Sequence, residues 1–122
     1  MDEQLALKLF PIHERACPCC GENEVDPAFL ERLVKARLDA GIPFPVNSMY
    51  RCPAHNREIG STSDNHPAGR AADIGCTDSS SRFIMVAALI RAGFTRIGIA
   101  KTFIHCDTMD DNGTPPEVIW LY

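Results

Sequence analysis

The segment Ser63–Asp73 constrains the fold of this chain more than any other part of the sequence. It places His66 ahead of Asp73, with Gly69 in the turn between them. Asp73 lies in an otherwise apolar stretch, residues 71–74, whose composition indicates a short buried strand. A buried carboxylate without a partner is costly, because its charge loses the solvation that water provides. The fold must therefore bring another polar group to Asp73.

A candidate partner lies far downstream, in the strand predicted at residues 103–108. His105 also has apolar neighbours, so it too needs a polar partner inside the fold. His66, Asp73 and His105 are nitrogen and oxygen donors of the kind that zinc accepts, with a fourth position left for water. The sequence therefore predicts one catalytic zinc ion held by these three residues.

Asp107 follows His105 at a spacing that places both side chains on the same face of a strand. Three roles are open to it: a metal ligand, a hydrogen-bond partner of a ligand histidine, or the general base.

Length and charge exclude several classes of protein. The 122 residues fit one domain, and a net charge of −4 without a basic run excludes nucleic acid as an expected partner. The first apolar run, Leu5–Phe10, is too short for a signal peptide or a membrane span. We therefore expect a single domain over residues 1–122, a monomer, and synthesis in the cytoplasm.

The order of predicted elements indicates an α+β fold with a small, mostly antiparallel sheet and two main helices. One helix begins after Asp26-Pro27 and ends before Gly41, as capping preferences require, and a second runs over residues 80–92. Short strands are predicted at 46–51, 71–76, 94–100, 103–108 and 118–122. Residues 1–16 form an extension of uncertain structure, although the alternating leucines at 5, 7 and 9 indicate an extended segment.

Six cysteines are many for a chain of this length, and four of them suit a common site: Cys17, Cys19, Cys20 and Cys52. The sequence favours buried reduced thiols over a bridge from the first three to Cys52, and either over a structural zinc. A cysteine-based metal or redox domain is the third functional hypothesis for the chain.

An arginine precedes the predicted zinc ligands in the segment Ser48–Arg51. Arg51 has the chemistry to grip a carboxylate in a bidentate manner or to stabilise an oxyanion beside a metal. Composition alone favours a surface position for both Arg51 and Tyr50, so a role at the site needs support from elsewhere.

Four motifs occur in an order that supports a more specific reading. They are Ser48-x-Tyr50-Arg51, Ser63-x-x-His66-x-x-Gly69-x-Ala71-x-Asp73-Ile74, Gly93-Phe94-x-Arg96-Ile97-Gly98 and Phe103-Ile104-His105-x-Asp107. Taken together, they resemble the zinc D-alanyl-D-alanine carboxypeptidase family. That family includes bacterial cell-wall carboxypeptidases, murein endopeptidases and phage endolysins, on a fold shared with the hedgehog signalling domain.

The resemblance implies that His66 and Asp73 are the first two zinc ligands and His105 the third. It also implies that the segment from Cys17 to Gly21 belongs to the fold of this branch and not to a separate zinc module.

The resemblance also implies a substrate and a pocket for it. The substrate is a peptidoglycan stem peptide that contains D-amino acids. Arg51 would contact its carboxylate or polarise the scissile carbonyl, and Tyr50 and Ser48 would shape the pocket. A phage-type lysin released to the cell wall and a cytoplasmic recycling enzyme both fit.

The general base is not fixed by the motifs. Many members carry an acid three residues before the last histidine ligand, where this chain has Thr102, and others end in His-x-His, where it has His105-x-Asp107. We predict that His105 is the ligand, that Asp107 is the base or a carboxylate partner, and that Glu117 is the reserve base. The predicted function is a zinc metallopeptidase, either a carboxypeptidase or an endopeptidase. The alternative is a non-catalytic, metal-containing module that binds the cell wall.

Overall fold

A computed structural model describes residues 2–61, 65–109 and 116–122 of the chain. Its helices are α1 (Glu3–Leu9), α2 (Ile12–Arg15), α3 (Pro27–Ala40), α4 (Pro53–Glu58) and α5 (Ser79–Arg91). Its strands are β1 (Val46–Ser48), β2 (Ala71–Gly75), β3 (Arg96–Ile99), β4 (Phe103–Asp107) and β5 (Val118–Leu121). None of the helices in the described residues is long and apolar enough to cross a membrane.

The two long helices form where the capping residues predict them. Asp26 accepts a hydrogen bond from the backbone N–H of Phe29 (3.0 Å) at the start of α3, a cap worth about 1 kcal/mol. Gly41 ends α3 with a left-handed φ of 69°, which glycine adopts without strain. Asp78 caps α5 in the same way, through the N–H of Ser81 (2.9 Å). The two main helices are therefore confirmed.

The five strands form one mixed sheet in the order β1-β2-β4-β3-β5. Neighbouring strands run antiparallel except β3 and β5, which are parallel. The α+β class is confirmed, but the expectation of a mostly antiparallel sheet flanked by two helices does not describe it in detail. The fold also contains three short helices, α1, α2 and α4, and the last strand, β5, lies at the edge of the sheet parallel to β3.

One face of the sheet packs against the apolar core and the other carries polar side chains, as the residues of β4 show. Ile104 and Cys106 are fully buried and belong to the same apolar core as Phe29 and Leu89 of the long helices. His105 and Asp107, at the alternate positions, project to the opposite face, as side chains on a strand must. The core thus holds β4 rigidly while its other face is available for chemistry.

The extended segment predicted near the N-terminus is wrong, because residues 3–9 form helix α1. Asp2 caps this helix by accepting hydrogen bonds from the N–H groups of Gln4 (3.0 Å) and Leu5 (3.2 Å). The buried side chains are Ala6 and Phe10, four residues apart on one helical face. The alternating leucines indicated the period of a strand, but the fully buried residues are Ala6 and Phe10, whose spacing is that of a helix.

Candidate metal centre

The structure brings together the three predicted zinc donors, which come from three separate elements. His66 lies in the turn over residues 65–69, Asp73 is in the middle of β2, and His105 is its register partner on β4. One donor atom from each of the three lies within 4.8 Å of the others. His66 and His105 are almost fully buried, while Asp73 keeps about a fifth of its side chain exposed.

The turn that carries His66 depends on Gly69. The backbone N–H of Gly69 donates to the carbonyl of His66 (3.0 Å), and its φ is 74°. A Cβ at this position would lie 2.0 Å from the carbonyl oxygen of Glu24, a distance that atoms do not tolerate. Only glycine lets the chain turn here, pack against residues 24–26 and still direct His66 inward.

The hydrogen bonds of His66 fix which of its ring nitrogens is free. Nδ1 lies 2.6 Å from the carbonyl oxygen of Met49, and because that oxygen can only accept, Nδ1 carries the proton. The lone pair on Nε2 therefore points into the site, where the Asp73 carboxylate lies 3.5 Å away. This is the arrangement of a neutral histidine ligand.

Asp107 orients the ring of His105 so that Nδ1, and not Nε2 as in His66, faces the site. Its Nε2 lies 2.7 Å from Oδ2 of Asp107, which holds the proton there, and its Nδ1 lies 2.9 Å from Oδ1 of Asp73. Two imidazole nitrogens and one carboxylate thus converge on a common point, and this donor chemistry fits zinc.

The charges of these groups depend on one another. Burial raises the pKa of Asp73, but the nearby imidazoles of His105 and His66 outweigh burial and hold that pKa well below its usual range. Burial lowers the pKa of His105, but hydrogen bonds to Asp107 and Asp73 raise it above its ordinary value. The site therefore concentrates negative charge that a cation can neutralise.

Asp107 is fully buried and both of its oxygens accept hydrogen bonds. Oδ2 accepts from His105 and from Nδ2 of Asn65 (3.1 Å), and Oδ1 accepts from Nε of Arg96 (2.8 Å) and the N–H of Met109 (3.0 Å). Burial raises the pKa of Asp107, but these bonds lower it below its ordinary value. Such a carboxylate is built to orient His105.

A cavity of about 490 Å³ opens beside Asp73, and Arg51 and Ser48 line it. Nε of Arg51 is buried and has no hydrogen-bond partner among the described residues. Burial lowers the pKa of Arg51, although the nearby charge of Asp73 opposes the shift. Ser48 is the register partner of Asp73. The predicted arginine and serine thus lie at the mouth of the site.

Three other positions named from the sequence lie in other surroundings: Tyr50, the reserve base Glu117, and Thr102, which stands where many family members carry an acid. Tyr50 contributes to the cavity lining, but its side chain is buried with Cys17 and Cys52. Glu117 is exposed ahead of β5, beside a cavity whose lining includes none of the three metal donors. Thr102 lies at the turn before β4 and lines a different cavity, near Asp78.

Sequence reasoning missed an aromatic cover over His105. The ring of Trp120 lies 5.5 Å from that of His105, and the guanidinium of Arg96 lies 5.3 Å from the centre of the indole. Gly98 is the register partner of His105, and its lack of a side chain makes space for the indole ring. A Cβ at this position would lie 2.6 Å from Trp120. An isolated glycine within a predicted strand is the signal that could have revealed this close approach.

A second group of potential metal ligands lies outside the histidine site. The sulfur atoms of Cys17, Cys19, Cys20 and Cys52 all lie within 4.8 Å of one another. None of the four forms a disulfide, and Cys17 and Cys52 are buried whereas Cys19 and Cys20 are exposed, so the expected burial holds for half of the group. Burial raises the pKa of Cys17, but hydrogen bonds from the backbone of Cys52 and Cys19 lower it to about 6.

Comparison with known proteins defines the class. Residues 12–107 match the family model described as Peptidase M15, the family of the zinc D-Ala-D-Ala carboxypeptidases, and the fold is consistent with such a peptidase. The chain belongs to that family, which confirms the resemblance seen in its motifs. No curated protein matches the chain.

Proposed function

We propose that this chain is a zinc-dependent metallopeptidase that hydrolyses peptide bonds in peptidoglycan stem peptides. The observation that carries the proposal is the convergence of His66 Nε2, His105 Nδ1 and the Asp73 carboxylate. Beside them lies a cavity lined by Arg51, whose Nε has no hydrogen-bond partner in the part of the chain that the structure describes. Membership of the Peptidase M15 family supports the class of reaction.

The three donors would hold one zinc ion, which supplies a Lewis acid and lowers the pKa of a bound water to about 7. The protein's own groups prepare the site. Met49 and Asp107 hold protons on the outer nitrogens of His66 and His105, so that the lone pairs of the inner nitrogens would be available to a zinc ion.

Arg51 is the substrate-binding residue in this proposal. Its buried Nε has a hydrogen-bond donor to offer, and a stem-peptide carboxylate or the scissile carbonyl oxygen would accept it. Ser48 lies beside it on the cavity wall and supplies a neutral hydroxyl. Tyr50 would act mainly by packing behind this wall, since its side chain is buried.

Asp107 acts as a positioning residue in this scheme. Four hydrogen bonds engage both of its oxygens, so it has no free oxygen to accept a proton from water. Glu117 stays a prediction for the proton acceptor. The enzyme would act as a monomer, on the cell wall if it is released as a phage-type lysin.

The experiment is digestion of purified peptidoglycan followed by mass spectrometry of the products. Wild-type protein should release D-alanine if it is a carboxypeptidase, or cleaved stem peptides if it is an endopeptidase. His66→Ala should lose both the products and the catalytic zinc, whereas His13→Ala should keep the zinc. Full activity of His66→Ala, or of wild type in excess chelator, would refute the proposal.

A second candidate, a non-catalytic module that binds the cell wall, is favoured by one observation. Asp107 is fully engaged and Thr102 replaces the acid that many members carry, which leaves the proton acceptor unassigned. Zinc-loaded protein that binds peptidoglycan in a pull-down and releases no product would establish this alternative.

A further inference from the structure

The four thiols outside the histidine site are spaced like the ligands of a metal ion. Sγ of Cys19 lies 3.4 Å from Sγ of Cys17 and 3.3 Å from Sγ of Cys52. Zinc–sulfur bonds of about 2.3 Å place the corners of a tetrahedron about 3.8 Å apart, whereas a disulfide needs about 2.05 Å. The observed separations are closer to those of the tetrahedron, and they involve more than one pair.

A tight loop delivers three of these thiols. The N–H of Gly21 donates to the carbonyl of Cys17 (2.8 Å), and the N–H of Cys17 donates to the carbonyl of Glu22 (2.8 Å). Gly21 has a φ of 75°, so a side chain at this position would be strained. In the sequence, Cys17 and Cys20 have the C-x-x-C spacing that structural zinc sites use, and Cys19 lies between them.

The fourth thiol comes from a distant part of the chain. Cys52 precedes α4, and its sulfur accepts a hydrogen bond from the N–H of His55 (3.4 Å). That bond helps to orient the Cys52 sulfur. The loop and α4 therefore present a complete set of four sulfur ligands.

We propose that Cys17, Cys19, Cys20 and Cys52 bind a second zinc ion, distinct from the ion of the histidine site. Four thiolates leave no position for water, so this site is structural and takes no part in hydrolysis. It does not depend on the peptidase activity of the chain.

The second ion would support the wall that carries Arg51. Tyr50 is buried against Cys17 and Cys52, and its N–H donates to the carbonyl of Arg15 (3.0 Å). Arg51 lies between Tyr50 and Cys52 in the chain, so a metal that ties Cys52 to the loop also fixes the backbone on both sides of Arg51. The metal would thus fix the backbone of Arg51, whose side chain lines the cavity beside Asp73.

The test is the zinc content of purified protein, measured by inductively coupled plasma mass spectrometry. Wild type should contain two zinc ions per chain. The double variant Cys19→Ser/Cys20→Ser should contain one, and His66→Ala should also contain one. Cys76→Ser is the matched control, since Cys76 lies outside the cluster, and it should keep both ions.

A second measurement covers the case in which the double variant fails to fold. His66→Ala, with its cysteines intact, is stripped and reloaded with cobalt, and a thiolate-to-cobalt charge-transfer band should appear in the near ultraviolet. Absence of that band, or a double variant that keeps as much zinc as wild type, would overturn the proposal. So would an intact mass lower by two hydrogens with no metal bound, because it would show a disulfide. A protein with zinc only at the cysteines would support this site while refuting the peptidase proposal.

Discussion

Replacement of Asp107 by asparagine tests the role of the buried carboxylate directly. Asp107 accepts from two donors on each oxygen: His105 (2.7 Å) and Asn65 (3.1 Å) on Oδ2, and Arg96 (2.8 Å) and Met109 (3.0 Å) on Oδ1. Asparagine has one oxygen and one NH2 group, so either orientation places N–H groups against two donors.

The less costly orientation has a definite consequence for the metal. If the NH2 faced Arg96 and Met109, neither could accept, and each unsatisfied buried group would cost about 1–3 kcal/mol. If it faces His105, the ring can respond by moving its proton from Nε2 to Nδ1. That proton then occupies the lone pair on the metal side of His105, and zinc must displace it.

We expect Asp107→Asn to weaken zinc binding by about 10–100-fold, equivalent to about 1.4–2.7 kcal/mol. The assay is competition for zinc between metal-free protein and a chromophoric chelator. Asp39→Asn is the matched control, because Asp39 also pairs with an arginine, Arg91 (2.6 Å), but on the exposed surface. That control should leave zinc affinity unchanged and alter the free energy of unfolding by less than about 1 kcal/mol.

One pattern of results would refute the reasoning. If Asp107→Asn binds zinc as tightly as wild type yet loses turnover, Asp107 is the proton acceptor and not a positioning residue. The same measurement on Glu117→Gln, which should keep full zinc affinity, separates the two candidates.

Three further substitutions test the backbone and the helix cap. Gly98→Ala should destabilise the protein by about 1–3 kcal/mol in urea unfolding, because the new methyl group would lie 2.6 Å from the indole of Trp120. It should also shift the fluorescence emission of Trp120, the single tryptophan of the sequence. The control is Gly75→Ala on β2, whose methyl group would lie 3.4 Å from its nearest neighbours and should cause neither change. Gly69→Ala should prevent folding, seen as loss of the cooperative unfolding transition, because its methyl group would overlap a carbonyl oxygen 2.0 Å away. The hydrogen bond from the backbone N–H of Ser81, in the first turn of α5, lowers the pKa of Asp78. The ionised Asp78 carboxylate therefore stabilises the fold at pH values above the ordinary pKa of aspartate. This stabilisation is lost as the pH falls through the lowered pKa. Wild type should therefore lose stability relative to Asp78→Asn below about pH 4, and parallel pH curves for the two proteins would contradict this cause.

The sequence predicted those parts of the molecule that depend on local chemistry. Asp26 and Gly41 marked the ends of α3 because capping needs only neighbouring atoms. His66 and Asp73 stood out because a turn and an apolar strand surround them. In each case the physical cause lies within a few residues of the effect.

The remaining features depend on contacts between distant segments. No local pattern sets the parallel direction of β5, which places Trp120 over His105. The full occupation of Asp107 likewise needs Arg96 from a neighbouring strand and Asn65 from the His66 turn. The convergence of Cys52 with the three earlier thiols arises from the fold, since their spacing alone did not favour a metal site.

The division of labour along β4 has a consequence for how the gene tolerates change. Ile104 and Cys106 face the core, while Phe103 and His105 face the site beside Tyr122 and Trp120. In a mutational scan scored separately for cellular abundance and for peptidase activity, the loss of abundance should alternate from one position to the next, while activity is lost at all three positions. Positions 104 and 106 should lose abundance and activity together, and position 105 should lose activity while abundance is largely kept.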